Sequence, residues 1–172
     1  MLKDVVANAG SSVRIVHITS IEALESILGS GVFHASDGHP LNGDAGLNCF
    51  MSGKKCTLNQ RFEGQGASLI MSWDGPIRKL RTGDWPPAPN ILYDMLPWRC
   101  FIPVYSDTCR PRVQTFRIAA WALDDYCGEP GAKWYPKWLK ARLARSAKLK
   151  VLLKLRKLLE SRRGSYLNIR GP

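Results

Sequence analysis

The stretch of residues 13–36 constrains the fold more than any other part of the chain. Its first six residues, VRIVHI, are β-rich and apolar on both faces, which predicts a buried strand. The following residues fit a capping box, with Thr19 as the N-cap and Glu22 three residues later. Leucine and isoleucine at helical spacing then predict a helix that ends at Gly29 or Gly31, before a second extended segment.

Further strands are predicted along the rest of the chain. They cover residues 47–51, 67–73, 100–105 and 113–121. Pro103 indicates that the third of these lies at a sheet edge. Residues 36–46 and the proline-rich residues 81–90 read as loops, and residues 124–135 as a turn region with aromatics. The predicted fold class is therefore α+β, with a mixed, mostly antiparallel sheet.

The net charge of +11 is concentrated in one segment. Residues 1–136 hold 13 Lys and Arg against 13 Asp and Glu, whereas residues 137–163 hold 11 Lys and Arg against the single acid Glu160. Nothing in that segment breaks a helix, and Pro136 suits a first turn. We expect an α+β domain over residues 1–136. Residues 137–172 should form a basic amphipathic helix and a loose tail, packed on that domain.

Three functions are open for such a helix. It binds DNA or RNA phosphates, lies on an anionic membrane, or is a solvated helix. The charge excess argues against the last, and Ala144 and Ala147 on the apolar side suit packing on protein better than burial in lipid. Nucleic acid is the expected partner. The residues expected to contact it are Lys54, Lys55, Arg142, Lys150, Lys154, Arg156 and Lys157.

Three aromatics stand at the start of this helix, Trp134, Tyr135 and Trp138. Aromatic side chains can stack on nucleic-acid bases. At a helix start they more often anchor the helix to the core, and this is the interpretation we expect to hold.

Metal binding and membrane insertion are not expected. The five cysteines are irregularly spaced, with no CxxC pair and no Cys/His quartet of zinc spacing, so they read as free thiols. His34 and His39 lack partners for a metal site. No signal peptide and no apolar run of about 18 residues is evident. A cytoplasmic protein is expected, and delivery into another cell stays compatible with that.

His17 has two interpretations. It is either a hydrogen-bonded core histidine or, with the Thr19 hydroxyl two residues on, half of a ligand-binding pair. The second interpretation follows from position, because the end of a strand in a mixed sheet is a common place for a small ligand.

The 13–36 stretch resembles the opening of ADP-ribosyltransferases, most closely DarT-type toxins, which modify thymidine in single-stranded DNA. Strand, H-x-T, a helix with L-x-x-I-L positions and Gly-Val are shared. The resemblance implies a split sheet around a cleft and NAD as a substrate. It also implies that His17 and Thr19 hold the nicotinamide-side ribose and that Phe50, in LNCFM, stacks on nicotinamide. Arg61, in LNQRFEG, matches an arginine of DarT-like enzymes.

The catalytic glutamate of that family has no direct counterpart. RVQTF resembles the strand that carries it, but Gln114 and Thr115 stand there. A carboxylate steadies the oxocarbenium charge as nicotinamide leaves, whereas a neutral amide only orients a hydroxyl. Glu129 is the nearest acid of the right type, with Glu63 and the adjacent pair Asp124 and Asp125 as alternatives. Three alternatives stay open. One of these acids is the catalytic residue, the protein transfers ADP-ribose without a catalytic acid, or it has lost transfer activity and keeps only a binding cleft.

Two functions follow as expectations. The first is an NAD-dependent ADP-ribosyltransferase of toxin, effector or phage type, acting on nucleic acid or on a protein bound to it. The alternative is a non-catalytic, basic nucleic-acid-binding protein, which includes a degenerate transferase fold.

Overall fold

The computed structural model describes eight parts of the chain. Side chains are described for residues 12–34, 65–74, 110–128 and 134–170 and for Cys49. The backbone alone is described for residues 5–6, 46–48, 50–51, 77–79 and 99–103.

Nine strands and three helices lie in these parts. The strands are β1 Val5–Val6, β2 Val13–Thr19, β3 Val32–His34, β4 Gly46–Met51, β5 Ala67–Trp73, β6 Ile77–Lys79, β7 Arg99–Pro103, β8 Arg112–Ile118 and β9 Asn168–Arg170. The helices are α1 Ile21–Ser30, α2 Ala120–Cys127 and α3 Lys137–Arg162.

The strands form two sheets. Seven of them pair in the order β1-β6-β7-β4-β2-β5-β8, and every neighbouring pair is antiparallel. β3 and β9 form a separate parallel pair. The α+β class and the mostly antiparallel pairing are thus confirmed. A sheet split around a cleft stays a prediction, as does the division into residues 1–136 and 137–172.

The core lies between one face of the large sheet and the three helices. Cross-strand neighbours on this face are fully buried, among them Ile15, Met71 and Val113. Leu24 of α1 and Leu155 of α3 meet them in the same cluster. Burial of large aliphatic side chains contributes roughly 1.5–3 kcal/mol each, so this face fixes how the helices are placed.

The predicted cap of α1 is wrong by one residue. Thr19 is still part of β2, pairs with Ala67 and is buried. The N-cap is Ser20, whose hydroxyl accepts a hydrogen bond from the Ala23 amide at 3.2 Å. Ser and Thr are both good caps, and sheet pairing decides between them. The predicted glycine stop is Gly31, which has φ 71° and donates its N–H to the Ile27 carbonyl at 2.8 Å.

Two predicted strands have different bounds or positions. β8 ends at Ile118, and α2 occupies residues that we predicted as strand and turn. The Ala119 amide makes a last bond to the Gly66 carbonyl, and the Leu123 amide then bonds back to Ala119. β7 lies between β6 and β4 and is not an edge strand. Pro103 is tolerated because it ends β7, beyond the residues that pair with β6.

α3 is confirmed as a single helix, but the prediction of a loose tail is wrong. α3 packs against α1 and α2. After it, Leu167 is fully buried and its amide bonds to the Pro111 carbonyl at 2.9 Å. The Val113 amide bonds to the Ser165 carbonyl, and β9 pairs with β3. The tail is therefore structural, because it satisfies backbone groups along β8 and β3.

Candidate functional site

His17 lies at the border of the core. Its ring centroid is 4.7 Å from that of Phe33, edge to face at 90°. It shares the helix-covered face with Ile15 and stands opposite Leu69 in β5. The ring is partly buried and Thr19 is 8% exposed. The packing of His17 against Phe33 is compatible with both interpretations, and both stay predictions.

The other residues expected at the NAD site are only partly placed. The Phe50 backbone pairs with Val16, next to His17. Gln114 is partly buried and is the extra residue of a β-bulge in β8, between the residues that pair with Ile70 and Met71. β5 separates β8 from β2, which sets the strand axes about 9.6 Å apart. Outside the described residues lie Arg61, Glu129, Glu63, His39, Lys54 and Lys55.

The acid pair considered near Glu129 lies on α2. Asp124 and Asp125 are both exposed, and Asp124 forms an ion pair with Lys148 of α3. Asp124 therefore has a structural partner that ties α2 to α3.

The apolar side of α3 is confirmed by burial. Leu155 is fully buried. Ala144 and Ala147, which the sequence analysis places on that side, are partly buried, as are their neighbours on it: Val151, Leu152, Leu158 and Leu159. This side faces the protein, so the opposite side is the one that solvent and a partner can reach.

Glu25 of α1 joins all three helices. Its carboxylate accepts hydrogen bonds from the Lys154 ammonium and from the Tyr126 hydroxyl at 3.1 Å. The Lys154 hydrogen bond holds the pKa of Glu25 below its ordinary value, and the same bond raises the pKa of Lys154. Burial, and then the bond to Glu25, raises the pKa of Tyr126. Lys154, predicted to contact nucleic acid, is thus paired with the body.

Arg162 fastens the end of α3 to the end of α1. Its Nε donates to the Leu28 carbonyl at 3.2 Å, and its Nη2 donates to the Gly29 carbonyl at 3.0 Å. A Cβ on Gly31 would stand 2.8 Å from Nη1, so glycine serves here by both its positive φ and its small size. The guanidinium satisfies carbonyls that a helix C-terminus leaves without partners.

The solvent side of α3 carries cations and large apolar side chains together. Arg142, Lys150, Arg156 and Lys157 are all exposed. Leu149 is 55% exposed and Leu153 54%. Sequence reasoning missed these two leucines, although their helical positions lie opposite Leu155.

The aromatics at the start of α3 do not anchor it. Trp134 is 79% exposed and Trp138 is 66% exposed. The Trp134 ring contacts Tyr135 edge to face, with centroids 4.5 Å apart. The anchoring interpretation is therefore wrong for both tryptophans, and their rings are available to a partner.

The described parts of the chain also contain His, Cys, Asp and Glu side chains outside the features above. There, no three His, Cys, Asp or Glu side chains come together as a metal site. Neither Cys49 nor Cys127 forms a disulfide. Within the same residues, every helix is too short or too polar to span a bilayer.

Comparison with protein-family models, with curated proteins and with solved structures finds no match to this chain.

Proposed function

We propose that the protein binds nucleic acid through the solvent side of α3. One observation carries this proposal. Four cations predicted from sequence to contact phosphates, Arg142, Lys150, Arg156 and Lys157, are all exposed on a helix whose other side is fixed to the body. The remainder of the chain has almost no net charge, so the positive field of the molecule is concentrated along this helix.

The dimensions of α3 support the proposal. Its 26 residues give a length of roughly 39 Å at about 1.5 Å per residue. A nucleic-acid backbone carries regularly spaced phosphates over that distance, and Lys and Arg bind them by releasing condensed counterions. The exposed tryptophans at the N-terminal end add rings on which bases can stack.

Salt dependence tests this function. We would measure binding of fluorescently labelled DNA and RNA oligonucleotides between 50 and 300 mM NaCl, taking the slope of log Kobs against log salt. Losing two phosphate contacts in Lys150→Gln/Lys157→Gln should reduce that slope by roughly 1.4 for a single strand or 1.8 for B-DNA.

The matched control is Arg117→Gln/Arg170→Gln, which removes the same charge from exposed positions off α3. It should change the slope less. Absence of salt-sensitive binding to any oligonucleotide would overturn the proposal. Binding only to vesicles containing phosphatidylserine would do so as well, in favour of an anionic membrane surface.

ADP-ribosyl transfer to the bound nucleic acid, or to a protein on it, is the second candidate. In this reaction the bond between the nicotinamide nitrogen and ribose breaks, nicotinamide leaves with the electron pair, and the acceptor oxygen or nitrogen bonds to the ribose carbon and loses its proton to water. The partial exposure of His17 favours it, as does the bulge that displaces Gln114, since bulges often re-aim side chains next to active sites.

Nicotinamide release tests the second candidate. The protein would be incubated with NAD, with and without DNA, RNA or cell lysate. His17→Gln should abolish release, whereas His34→Gln, on the exposed end of β3, should not. Melting temperatures of both variants separate loss of chemistry from loss of fold. No release under any condition, together with no rise in melting temperature with NAD, would reject this candidate.

A further inference from the structure

A second group of cations lies on the sheet face that points away from the helices. Side chains of neighbouring residues in a strand point to opposite faces of the sheet. Arg14 is therefore on the face opposite to the one that holds the buried Ile15. Arg14 pairs with Ser72 of β5, and Ser72 pairs with Arg112 of β8, which makes one row across three strands. Both arginines are exposed and Ser72 is partly buried. The next row on this face contains the buried Val16 and Ile70, which separates the row of Arg14 and Arg112 from the exposed Arg117 at the other end of the same face.

Arg112 is held in position by the chain that follows α3. Its Nη2 donates to the Tyr166 hydroxyl at 2.6 Å, and its Cζ lies 4.7 Å from the Tyr166 ring centroid. Tyr166 itself is 50% exposed. A bridge between Arg112 and Tyr166 fixes the backbone as well. Because an arginine that is already ordered loses less entropy when it binds, this geometry favours a ligand.

No carboxylate among the described side chains neutralises this row. Asp74, the described acid that follows β5, is exposed and pairs with neither Arg14 nor Arg112. One further cation, Arg110, donates to the Asn168 side chain at 2.7 Å and keeps its charge. The backbones of Arg14 and Arg112 are about 9.6 Å apart, across two strand spacings, which corresponds to roughly three steps of 3.4 Å along the axis of a duplex.

The row continues from the C-terminal end of α3. The Gly164 amide bonds to the Val113 carbonyl at 2.8 Å, directly beside Arg112. Arg156 and Arg163, both exposed, precede this junction on the chain. Because α3 and this row lie on opposite faces of the sheet, a ligand that contacts both has to pass over the β8 edge, where the chain leaves α3.

We infer that Arg14, Arg112 and Tyr166 form a second contact surface for nucleic-acid phosphates, which extends the footprint of a strand bound along α3. The inference rests on the proposed nucleic-acid function and adds a site to it. The planar guanidinium of Arg112 offers two parallel donors to one phosphate, and Arg14 supplies a second contact. Ser72 lies between them with a hydroxyl that can donate to the same backbone.

Arg14→Gln is the decisive variant, because the described structure shows no hydrogen bond or ion pair that it would break. We would measure its salt slope with the same oligonucleotides. It should reduce the slope by roughly 0.7 to 0.9, the value of one phosphate contact, and Arg14→Gln/Arg112→Gln by about twice that. Arg112→Lys keeps the charge but not the paired donors, so it should weaken binding while the slope stays near that of the unmodified protein.

Arg170→Gln, an exposed position in the separate β3–β9 pair, controls for the loss of one charge, and melting temperatures check that Tyr166 and β9 remain docked. If Arg14→Gln keeps the unmodified slope, and the double variant only matches the control while Lys150→Gln/Lys157→Gln lowers the slope, the second surface is refuted and the function of α3 stands. If the unmodified protein shows no salt-sensitive binding, both proposals fail together.

Discussion

At the scale of single residues, the carboxylate of Glu25 in α1 is the contact that links all three helices. Its side chain is 25% exposed, and it receives donors from both other helices. A carboxylate with two donors is stabilised in its charged form, which is why its pKa falls. The same contacts orient α3 on the body, so a change at Glu25 reaches the presentation of the basic side.

Glu25→Gln should lower the free energy of unfolding by about 1 kcal/mol at pH 7, since a partly exposed charged hydrogen bond contributes less than a buried one. A lowered folded-state pKa gives stability that is fully present above the unfolded value of about 4.3 and is lost as the pH falls through the lower folded value. The difference between the two proteins should therefore shrink below pH 4. Urea unfolding at pH 7 and pH 3 measures it, with Glu22→Gln, exposed on the same helix, as the control. If the free energies of unfolding of the two proteins differ by the same amount at pH 7 and pH 3, the lowered pKa of Glu25 does not contribute to stability and the prediction is wrong.

Leu155 and Leu153 provide a matched pair on α3. Leu155 is fully buried among the three helices, whereas Leu153 is 54% exposed. Leu155→Ala should cost roughly 2–5 kcal/mol because it leaves a cavity. Leu153→Ala should stay within about 0.5 kcal/mol. Chemical denaturation of both variants checks this, and a larger cost for Leu153→Ala than for Leu155→Ala would mean that the helix is docked on its other side.

At the scale of elements, the chain that follows α3 binds to strands β8 and β3 and so connects the end of the helix to both sheets. It covers the β8 edge through Ser165 and Tyr166, buries Leu167 and adds β9 to β3. An uncovered strand edge exposes backbone donors and acceptors, so this segment also protects the sheet from pairing with other chains.

Removal of residues 165–172 should release the protection of specific amides. The Val113 amide, bonded to Ser165, should exchange with solvent far faster, while amides between β2 and β5 keep their protection. Hydrogen exchange followed by NMR resolves the two groups. Unchanged protection at Val113 would show that the tail is not what covers this edge.

Sequence patterns identified the elements whose own residues decide their structure. β5 and α3 were predicted almost to the residue, because an apolar run between turn signals and an unbroken basic amphipathic pattern are local properties. The sequence analysis missed α2 because the residues AAWAL suit a strand as well as a helix. The pairing of β8 with β5 stops after the bond from the Ala119 amide to the Gly66 carbonyl, and the local sequence does not indicate this end point. The tail was missed because its partners, Pro111, Val113 and β3, are far away in sequence.

The site residues also fall into two groups, those that a local sequence pattern predicts and those whose position depends on the rest of the fold. The exposed cations of α3 follow from helical periodicity alone, so they were predictable. The exposure of Trp134 and Trp138 depends on which parts of the body lie near the start of α3, and a local sequence pattern does not give this. The row of Arg14, Ser72 and Arg112 requires the register of three strands, and a shift of one residue would reverse the face of each.

At the scale of the whole molecule, a nearly neutral body presents one strongly positive helix. α3 packs apolar side chains against the body, and the ion pairs of Lys154 with Glu25 and of Lys148 with Asp124 are partly exposed. Partly exposed ion pairs are weak and are screened by salt, whereas apolar burial is not. Binding and folding should therefore respond differently to ionic strength.

Raising NaCl from 0.1 to 1 M should abolish oligonucleotide binding and leave the melting temperature nearly unchanged. The Debye length falls from about 10 to 3 Å over this range, which screens the phosphates from the helix. Fluorescence anisotropy and circular dichroism of the same samples compare the two responses. A large fall in melting temperature would mean that α3 is held mainly by charge.

The parallel pair of β3 and β9 also sets the order in which the molecule can form. Val32 must find Asn168, and all the intervening chain has to be gathered before they meet. Contacts this distant in sequence form late, since loop closure costs entropy before the contact repays it. During synthesis β3 therefore waits without its partner strand while the rest emerges.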